Sequence, residues 1–369
     1  MRRWRRMRRS LVLLLVAACG GGGSTQHPDG SGPTADGPSI EACPILPANH
    51  IFNTPIDNLP VDPNSDAYIQ TISPTKKLHL DLGTQTDQMA TDFYGIPWNS
   101  MHGLADAWST VAYTSTDPGL DWDPTAESDC GDANHTVKSP CTISNPQLPI
   151  PANAIVEGGI NNTADEMPYG DHHLLVVDVD NCRLWESYHV YEPSAGTWNI
   201  FGSATWDLKS NALRPADWSS ADAAGFPIMP LLLKVDEANS GAIHHALRFT
   251  IGSSKIRVAY VWPARHLTSN GTNSISLPPM GQLFRLKASF AIPDSFNPQS
   301  KAILQAMKTY GMYIADGGSD WYVSGEPNAG WMDSTFTEVQ SVAGSNFEAV
   351  DITAITSRTG FDVNSGAVP

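Results

Sequence analysis

The chain has 369 residues, of which 41% are hydrophobic and 16% charged, and 22 Lys and Arg against 38 Asp and Glu give a formal net charge of −16. This hydrophobic content can build a folded core, so the composition excludes a wholly disordered chain, a collagen and a coiled coil. The acidic balance excludes a general nucleic-acid binder, because a phosphate backbone is bound by clustered Lys and Arg.

The first 18 residues have the pattern of an export signal. Six arginines among residues 2–9 precede an apolar run, residues 11–18, that is too short to cross a bilayer core of about 30 Å as a helix. The run ends in small residues before Cys19, an order that resembles the lipobox of bacterial lipoproteins. The resemblance implies that Cys19 carries acyl chains and anchors the protein to the cell envelope, and Gly20 favours the outer membrane. The alternative is an ordinary signal peptide with an incidental Cys19.

Three segments are expected along the chain. Residues 1–18 form the signal peptide, and residues 19–42 form the lipidated Cys19 with a flexible tether rich in Gly, Ser and Pro. Residues 43–369 form one large β-rich domain. A change in composition near residue 200 indicates either two subdomains or two sheets of one domain, and we favour two sheets.

The body of the domain has mostly strand patterns. Between residues 43 and 99, closely spaced prolines predict loops and edge strands instead of helices. The predicted strands cover residues 154–156, 172–178, 183–190, 198–208, 246–251, 256–262 and 283–290, and the second and third of these form a hairpin through Asp180 and Asn181. Period-two alternation is clearest over 283–290.

Helices are few in the pattern. Asn297 followed by Pro298 predicts a helix over residues 298–310, since an Asn N-cap and a Pro at the first position both favour a helix start. A single turn at 219–224 and a short helix at 334–342 are also predicted. The fold class is therefore mainly β, an antiparallel β-sandwich or jelly-roll-like fold with one or two peripheral helices.

Four cysteines remain once Cys19 is assigned to the anchor. An even number in an exported chain predicts two disulfides. Cys130 and Cys141 enclose a polar loop that a local bridge would stabilise, so we pair them and leave Cys43 to pair with Cys182. A Cys-ligated metal site is the alternative, but no CxxC spacing supports it.

The body of the chain resembles a family of secreted bacterial proteins to which no activity has been assigned. The runs that carry this similarity are IFNTPI at 51–56, DLKSNALRP at 207–215, HALRFT at 245–250, VWPARH at 261–266 and RLKASF at 285–290. The similarity spans most of residues 45–350. It implies no chemistry and no catalytic residue.

Familiar nucleophile, zinc-protease and phosphate-loop motifs are absent from the sequence. Asp171, His173, His245 and His266 could meet in a metal site if their strands are neighbours, but hydrogen-bonded structural histidines are the favoured interpretation, and no metal or other cofactor is predicted. The turn that contains Asp180 could hold calcium, although a plain hairpin turn is favoured.

Charge is unevenly distributed. Residues 200–310 contain 11 of the 16 cations that follow the signal peptide, against six acids. Such a cluster beside a His or Tyr would suit an anionic sugar in a lyase reaction, because the cations would neutralise a uronate while the His or Tyr removes a proton. The favoured alternative is that these cations pair with the acid-rich remainder and hold the fold together.

Aromatic and carboxylate side chains also indicate carbohydrate. Trp321 and Trp331 follow glycine-rich stretches and are the candidates for stacking on a sugar ring. Paired carboxylates for glycoside hydrolysis could come from Glu157, Glu186, Asp207, Asp236, Glu237 or Asp316. Glu186 leads this set, because a charge among apolar strand neighbours would be costly without a role.

Two hypotheses follow. In the first, an envelope-anchored lipoprotein acts on extracellular polysaccharide as a lyase or glycoside hydrolase, with a catalytic set drawn from Glu186, Asp207, Arg248, Arg265, His245 and His266. At least three of these six side chains should then meet in one open cleft. In the second, the lipoprotein binds a glycan or a partner, or packs in the envelope, without catalysis. Both hypotheses have the membrane as a partner through the lipid anchor, and neither predicts the oligomeric state.

Overall fold

A computed structural model describes residues 38–114, 125–159 and 171–369. Cys19, the expected export signal and the expected tether up to residue 37 lie outside the described residues. The folded structure begins before the expected boundary at residue 43, because Ser39–Ile40 pairs antiparallel with Cys43–Pro44. Within these ranges, no helix combines the length and the apolar character needed to cross a membrane.

The fold is mainly β with short helices at its periphery, as predicted. The strands are β1 (Ser39–Ile40), β2 (Cys43–Pro44), β3 (His79–Asp81), β4 (Trp98–Met101), β5 (Ser109–Tyr113), β6 (Cys130–Gly131), β7 (Val137–Lys138), β8 (Gln147–Leu148), β9 (Leu174–Asp178), β10 (Arg183–Tyr188), β11 (Tyr191–Ser194), β12 (Thr197–Ile200), β13 (Gly202–Asp207), β14 (Leu247–Ile251), β15 (Arg257–Tyr260), β16 (Pro279–Met280), β17 (Leu283–Leu286), β18 (Met312–Gly317), β19 (Tyr322–Ser324) and β20 (Phe347–Ala349). The α-helices are α1 (Ser65–Ile72), α2 (Val235–Ser240), α3 (Pro298–Thr309), α4 (Asp333–Val339) and α5 (Thr353–Thr356), with 3-10 turns at Ile51–Asn53, Met229–Leu231, Ser253–Lys255 and Gly344–Asn346.

Three larger sheets organise the molecule. The middle sheet has the order β13-β10-β9-β4, the outer sheet has the order β11-β12-β5-β8-β6-β7, and the helix-covered sheet has the order β20-β17-β18-β14-β19-β3. The sheets are mixed and not wholly antiparallel, since β4 runs parallel to β9, β5 to β12, β14 to β18 and β3 to β19. The change in amino-acid composition near residue 200 falls between β12 and β13, which belong to different sheets.

The middle sheet is buried on both faces. Leu175, Val177 and Leu184 on one face join the larger hydrophobic core, which the helix-covered sheet also forms. Leu174 and Trp185 on the opposite face join a smaller core with the outer sheet. Strands covered on both faces read as continuous apolar runs, which is why β9 is recognisable in the sequence.

The hairpin of β9 and β10 and the helix α3 agree with the sequence predictions. Asn297 caps α3 by accepting a hydrogen bond from the Ser300 amide at 2.9 Å. The expectation that residues 43–99 contain no helix is wrong, because α1 lies between two prolines and packs against β20 through Tyr68, Ile69 and Ile72. The predicted strand at 154–156 is coil, and the turn at 219–224 is not helical.

A β-bulge in β18 decides where one carboxylate lies. Phe249 pairs with Ile314, but the next residue, Thr250, pairs with Asp316, so Ala315 is extra. Without the bulge Asp316 would share the core face of Ile314, because alternate residues of a strand share a face. With it, Asp316 lies on the face of Thr250 and Arg248. Bulges of this kind redirect side chains beside functional sites.

Both predicted disulfides are present. Cys43 pairs with Cys182 and Cys130 with Cys141. The first joins the start of the folded chain to the β9–β10 turn over a sequence separation of 139, and the second closes a loop with a separation of 11. Two disulfides indicate an oxidising compartment outside the cytosol.

The two disulfides should stabilise the fold unequally. Chain-entropy arguments give about 5 kcal/mol for the longer loop and about 3 kcal/mol for the shorter one, because a longer loop restricts the unfolded chain more. We expect the C43S/C182S double variant to unfold at a lower urea concentration than C130S/C141S. Equal midpoints, or a lower midpoint for C130S/C141S, would contradict this order.

Candidate functional site

A cleft of about 660 Å³ opens where β10 and β18 end. Its walls come from the start of β9, the end of β10, the end of β18, the loop at 219–223 and the residues after β15. The lining residues are Glu127, Ser128, Asp171, Tyr188, Phe201, Gly202, Ser203, Ser219, Ser220, Ala221, Ala223, His266, Thr268, Asp316 and Gly317. The cleft therefore joins the middle sheet to the helix-covered sheet.

Two aspartates open onto this cleft from different sheets. Asp171 precedes β9 and is exposed, and the Tyr188 hydroxyl lies 3.5 Å from its Oδ1. Asp316 is partly buried on β18, and its Oδ1 accepts the Gly317 amide at 2.6 Å. The two carboxyl groups have different environments, which is the condition under which a pair of acids takes different protonation states.

Asp316 is partly protonated at neutral pH. Burial raises the pKa of its carboxyl group to about 7, and the nearby charge of Asp222 acts in the same direction, while Arg248 opposes the shift. An acid with a pKa near the working pH can donate a proton and recover it, as a general acid must. Asp316 therefore has the protonation state that acid catalysis needs.

A buried ion pair lies behind the two lining aspartates. Arg248 NH2 is 2.5 Å from Asp222 Oδ1, and its NH1 donates to Ser324 Oγ at 2.7 Å. Burial lowers the pKa of Arg248, but the charges of Asp222 and Asp316 more than offset this and raise it. Arg248 stays charged and links β14, β19 and the cleft loop.

A second buried pair supports the start of β9. His173 Nδ1 is 2.6 Å from Glu157 Oε2, and its Nε2 is 2.9 Å from the Ala221 carbonyl oxygen. Both partners are acceptors, so both ring nitrogens must carry protons and the imidazole is cationic. Burial lowers the pKa of His173, but the Glu157 carboxylate raises it to about 9 overall. The pair fixes His173, which is two residues from Asp171.

The loop at 219–225 is fixed to both sides of the cleft. The Ala224 amide donates to the carbonyl of the bulged Ala315 at 2.9 Å, and the Ala224 carbonyl accepts from Arg265 N at 2.9 Å. His266 Nδ1 lies 2.9 Å from the Ala223 carbonyl oxygen. Since a carbonyl only accepts, Nδ1 carries the proton, and the neutral ring has Nε2 as an acceptor.

Aromatic side chains form another part of the wall. The rings of Tyr188 and Phe201 are 6.0 Å apart and nearly perpendicular. Glu127 faces the loop, where its Oε2 accepts the Ser219 amide at 2.9 Å. Rings beside carboxylates are the combination by which proteins bind sugars, since the rings stack on apolar sugar faces and the carboxylates accept hydroxyl protons. The sequence-based candidates Trp321 and Trp331 are buried instead.

The six residues expected to form the catalytic set do not meet in this cleft. Of the six, only His266 lines it. Glu186 is fully buried in β10, where its carboxylate accepts the amides of Ile228 and Met229 at 2.8–2.9 Å. Burial raises its pKa to about 7 despite these bonds. Glu186 can be buried among apolar neighbours because these two backbone amides, at the start of a 3-10 turn, satisfy its carboxylate.

The remaining members also have structural partners. Asp207 is exposed at the end of β13 and accepts the Lys209 amide at 2.9 Å. Arg265 donates to the carbonyls of Arg214 and Val363 at 2.8 and 2.7 Å. His245 is buried away from the cleft, with Nε2 2.8 Å from Glu237 Oε2. Arg248 lies behind the cleft, as described above, so the expectation that three of the six would converge is not met.

The metal alternatives find no support among the described residues, where no group of three or more His, Cys, Asp or Glu side chains could hold an ion. Asp178 Oδ1 instead accepts the amides of Gly103, Asp180 and Asn181 at 3.1–3.2 Å. Asp180 Oδ1 lies 2.9 Å from His102 Nδ1. This segment is therefore a hydrogen-bonded hairpin turn.

Part of the cation-rich stretch pairs with acids, and three of these acids lie outside residues 200–310, as the favoured interpretation expects. Five of its cations form ion pairs within 4.0 Å, namely Arg214 with Asp129, Lys234 with Glu237, Arg248 with Asp222, Lys255 with Asp320 and Arg285 with Glu348. In the first and third of these pairs both side chains are buried. These cations stabilise the fold and are not presented to a uronate.

The sequence patterns indicated both lining aspartates as candidate site residues, but they did not indicate that the two lie on the same cleft. Asp171 is a candidate metal ligand in the sequence and Asp316 a candidate member of a carboxylate pair. No sequence pattern marks Tyr188 or Phe201 as a site residue. The Ala315 bulge has no sequence signal, and the strand pattern alone places Asp316 on the wrong face. The one sequence signal for Asp316 is its position at the end of a strand, followed by two glycines.

No family model, curated protein or solved structure matches the chain.

The charged state of His173 gives a testable pH dependence. Because its pKa rises to about 9, its contribution to stability is complete below about pH 6.5 and is lost as the pH rises through 9. Buried carboxyl groups with a pKa near 7 also titrate, mainly below about pH 8, so the contribution of His173 between pH 7 and 9.5 is obtained by comparison with a variant that lacks the imidazole.

We expect the free energy of unfolding, measured by urea titration, to fall by up to about 3 kcal/mol across that interval. The His173→Gln variant, which cannot titrate there, should show a much flatter profile. A wild-type profile as flat as that of the variant would mean that His173 is neutral in the folded protein.

Proposed function

We propose that this protein is an exported, envelope-anchored hydrolase of extracellular polysaccharide. The observation that carries the proposal is the pair of aspartates on one cleft, where Asp316 is protonated near neutral pH and Asp171 is exposed. Most glycosidases use two such carboxyl groups, one as the acid and one as the base or nucleophile. The aromatic wall of Tyr188 and Phe201 supports a sugar as the bound group.

In the proposed reaction Asp316 donates its proton to the glycosidic oxygen while the bond from that oxygen to the anomeric carbon breaks. The departing sugar leaves as an alcohol. The carboxylate of Asp171 either removes a proton from the attacking water or itself forms a glycosyl ester that water then hydrolyses. The anomeric configuration of the first product distinguishes these two courses.

The lyase alternative receives less support from the cleft. A lyase must neutralise a uronate carboxylate, and the lining residues that the structure describes include no Lys or Arg. The two arginines behind the lining, Arg214 and Arg248, are buried and already paired with Asp129 and Asp222. Hydrolysis therefore fits the charges of the site better than β-elimination.

The location belongs to the same proposal. The disulfides support an oxidising compartment, and the lipobox-like run ending in Cys19 supports a lipid anchor on the outer membrane. The resemblance to secreted bacterial proteins is consistent with export. Cys19 lies outside the described residues, so anchoring is inferred from the sequence alone.

Replacing either aspartate should abolish hydrolysis without unfolding the protein. We expect Asp316→Asn and Asp171→Asn each to lower kcat at least 100-fold, since general acid–base groups contribute about 10²- to 10⁴-fold. Wild-type activity should decline above about pH 7, where Asp316 loses its proton. Reducing-end release from a panel of neutral, amino and uronic polysaccharides measures this.

Asp207→Asn is the matched control, because Asp207 is an exposed aspartate outside the lining of the cleft. It should retain wild-type rates. Full activity in Asp316→Asn would remove the proposed acid. Binding of a glycan by the wild type with no hydrolysis of any substrate would make the protein a non-catalytic glycan-binding lipoprotein.

A further inference from the structure

We propose that the cleft selects glycans that carry free amino groups and rejects uronic or sulfated ones. This inference rests on the proposed function for the nature of the ligand and names the substrate class. It follows from where the positive and negative side chains of the described structure lie.

The charged lining of the cleft is acidic. Glu127 and Asp171 line it with carboxylates, and Asp316 adds a carboxyl group that becomes charged as the pH rises through about 7, whereas Lys and Arg are absent from the described lining residues. Residues 115–124 and 160–170, which lie outside the described ranges, contain no Lys or Arg in their sequence, so they add no lysine or arginine charge. A sugar carboxylate or sulfate entering the cleft would meet like charge, which is unfavourable.

The surrounding cations cannot turn into the cleft to compensate. Arg248 is held by Asp222 and Ser324, and Arg214 is held by Asp129 at 2.6 Å and by the Ser219 carbonyl. Both arginine side chains are buried. Removing either from its partner would leave an uncompensated buried carboxylate.

One buried acceptor behind the lining has no partner. Asp222 is fully buried, and its Oδ2 makes no hydrogen bond with any described residue. Its charge raises the pKa of Asp316, and it interacts electrostatically with Asp171 as well. Because Arg248 pairs with Asp222, the pair adds no net charge behind the lining, and the preference for a cationic ligand depends on the lining carboxylates themselves.

Glu127 is the carboxylate best placed to meet an ammonium group. Its Oε2 accepts the Ser219 amide, while Oε1 has no hydrogen-bond partner among the described residues. It is not needed as the acid or the base in the proposed reaction. The ring of Tyr188, which lines the cleft, adds an attraction for a cation that neutral sugars lack.

The test compares oligosaccharides of similar length that share a β-1,4-linked pyranose backbone. The probes are glucosamine, N-acetylglucosamine, glucose and glucuronate hexamers, and binding is measured by calorimetry on Asp316→Asn protein at pH 6. We expect the glucosamine hexamer to bind about 5- to 10-fold more tightly than the acetylated and glucose hexamers, and the glucuronate hexamer most weakly. Half-molar salt should reduce the advantage to less than about 2-fold.

Glu127→Gln should remove most of the preference for the amine, measured as the ratio of the affinities for the glucosamine and N-acetylglucosamine hexamers. Glu192→Gln is the matched control, because Glu192 also accepts one backbone amide, that of Gly196 at 2.7 Å, and does not line this cleft. It should keep the full preference.

Equal affinity for the glucuronate and glucosamine hexamers would overturn the inference, as would a preference that persists in Glu127→Gln. Wild-type hydrolysis assays on the same probes separate the two proposals. Hydrolysis without an amine preference would support the hydrolase proposal and contradict the proposed selectivity. An amine preference without hydrolysis would support the selectivity and contradict the hydrolase proposal.

Discussion

The buried ion pair of Arg248 and Asp222 is the interaction on which the cleft depends. Arg248 lies in β14, bonds Ser324 on β19, and holds the loop that forms one wall through Asp222. Breaking a buried pair by removing one partner costs about 3–5 kcal/mol, because the other charge is left uncompensated. The pair therefore fixes the loop to the sheet and sets the electrostatic field in which Asp316 titrates.

The pairing of cations also explains the character of the site. The stretch from residue 200 to 310 is cation-rich in sequence, yet its buried arginines are taken up by acids and carbonyls inside the fold. The acids that line the cleft form no ion pair with a Lys or Arg of the described residues. A segment that looks suited to an anionic substrate thus produces a cleft with the opposite preference.

Local patterns in the sequence were enough to predict the mainly β fold, the β9–β10 hairpin, the helix α3 and both disulfides. Each of these depends on nearby residues or, for the disulfides, on an even number of cysteines. Helix α1 was missed because its neighbouring prolines outweighed a short apolar stripe.

The site was predictable only in part, since it depends on long-range pairing. Glu186 was the leading catalytic candidate because it is an acid in an apolar strand, but its carboxylate accepts the amides of residues 228 and 229 inside the fold. Asp316 was one of several candidate carboxylates, and only the extra residue in β18 places it beside Arg248. A bulge arises from the register of two strands that are far apart in sequence, which residue patterns within one strand do not specify.

The protonation of Asp316 at neutral pH is the claim that a single experiment tests most directly. The side-chain carboxyl carbon of Asp316, labelled with ¹³C and assigned by comparison with Asp316→Asn, can be followed by NMR from pH 3 to pH 9. The account predicts a titration midpoint about 3 pH units above that of an ordinary aspartate, near 7. A midpoint near 4, the value for a solvated carboxyl group, would contradict it.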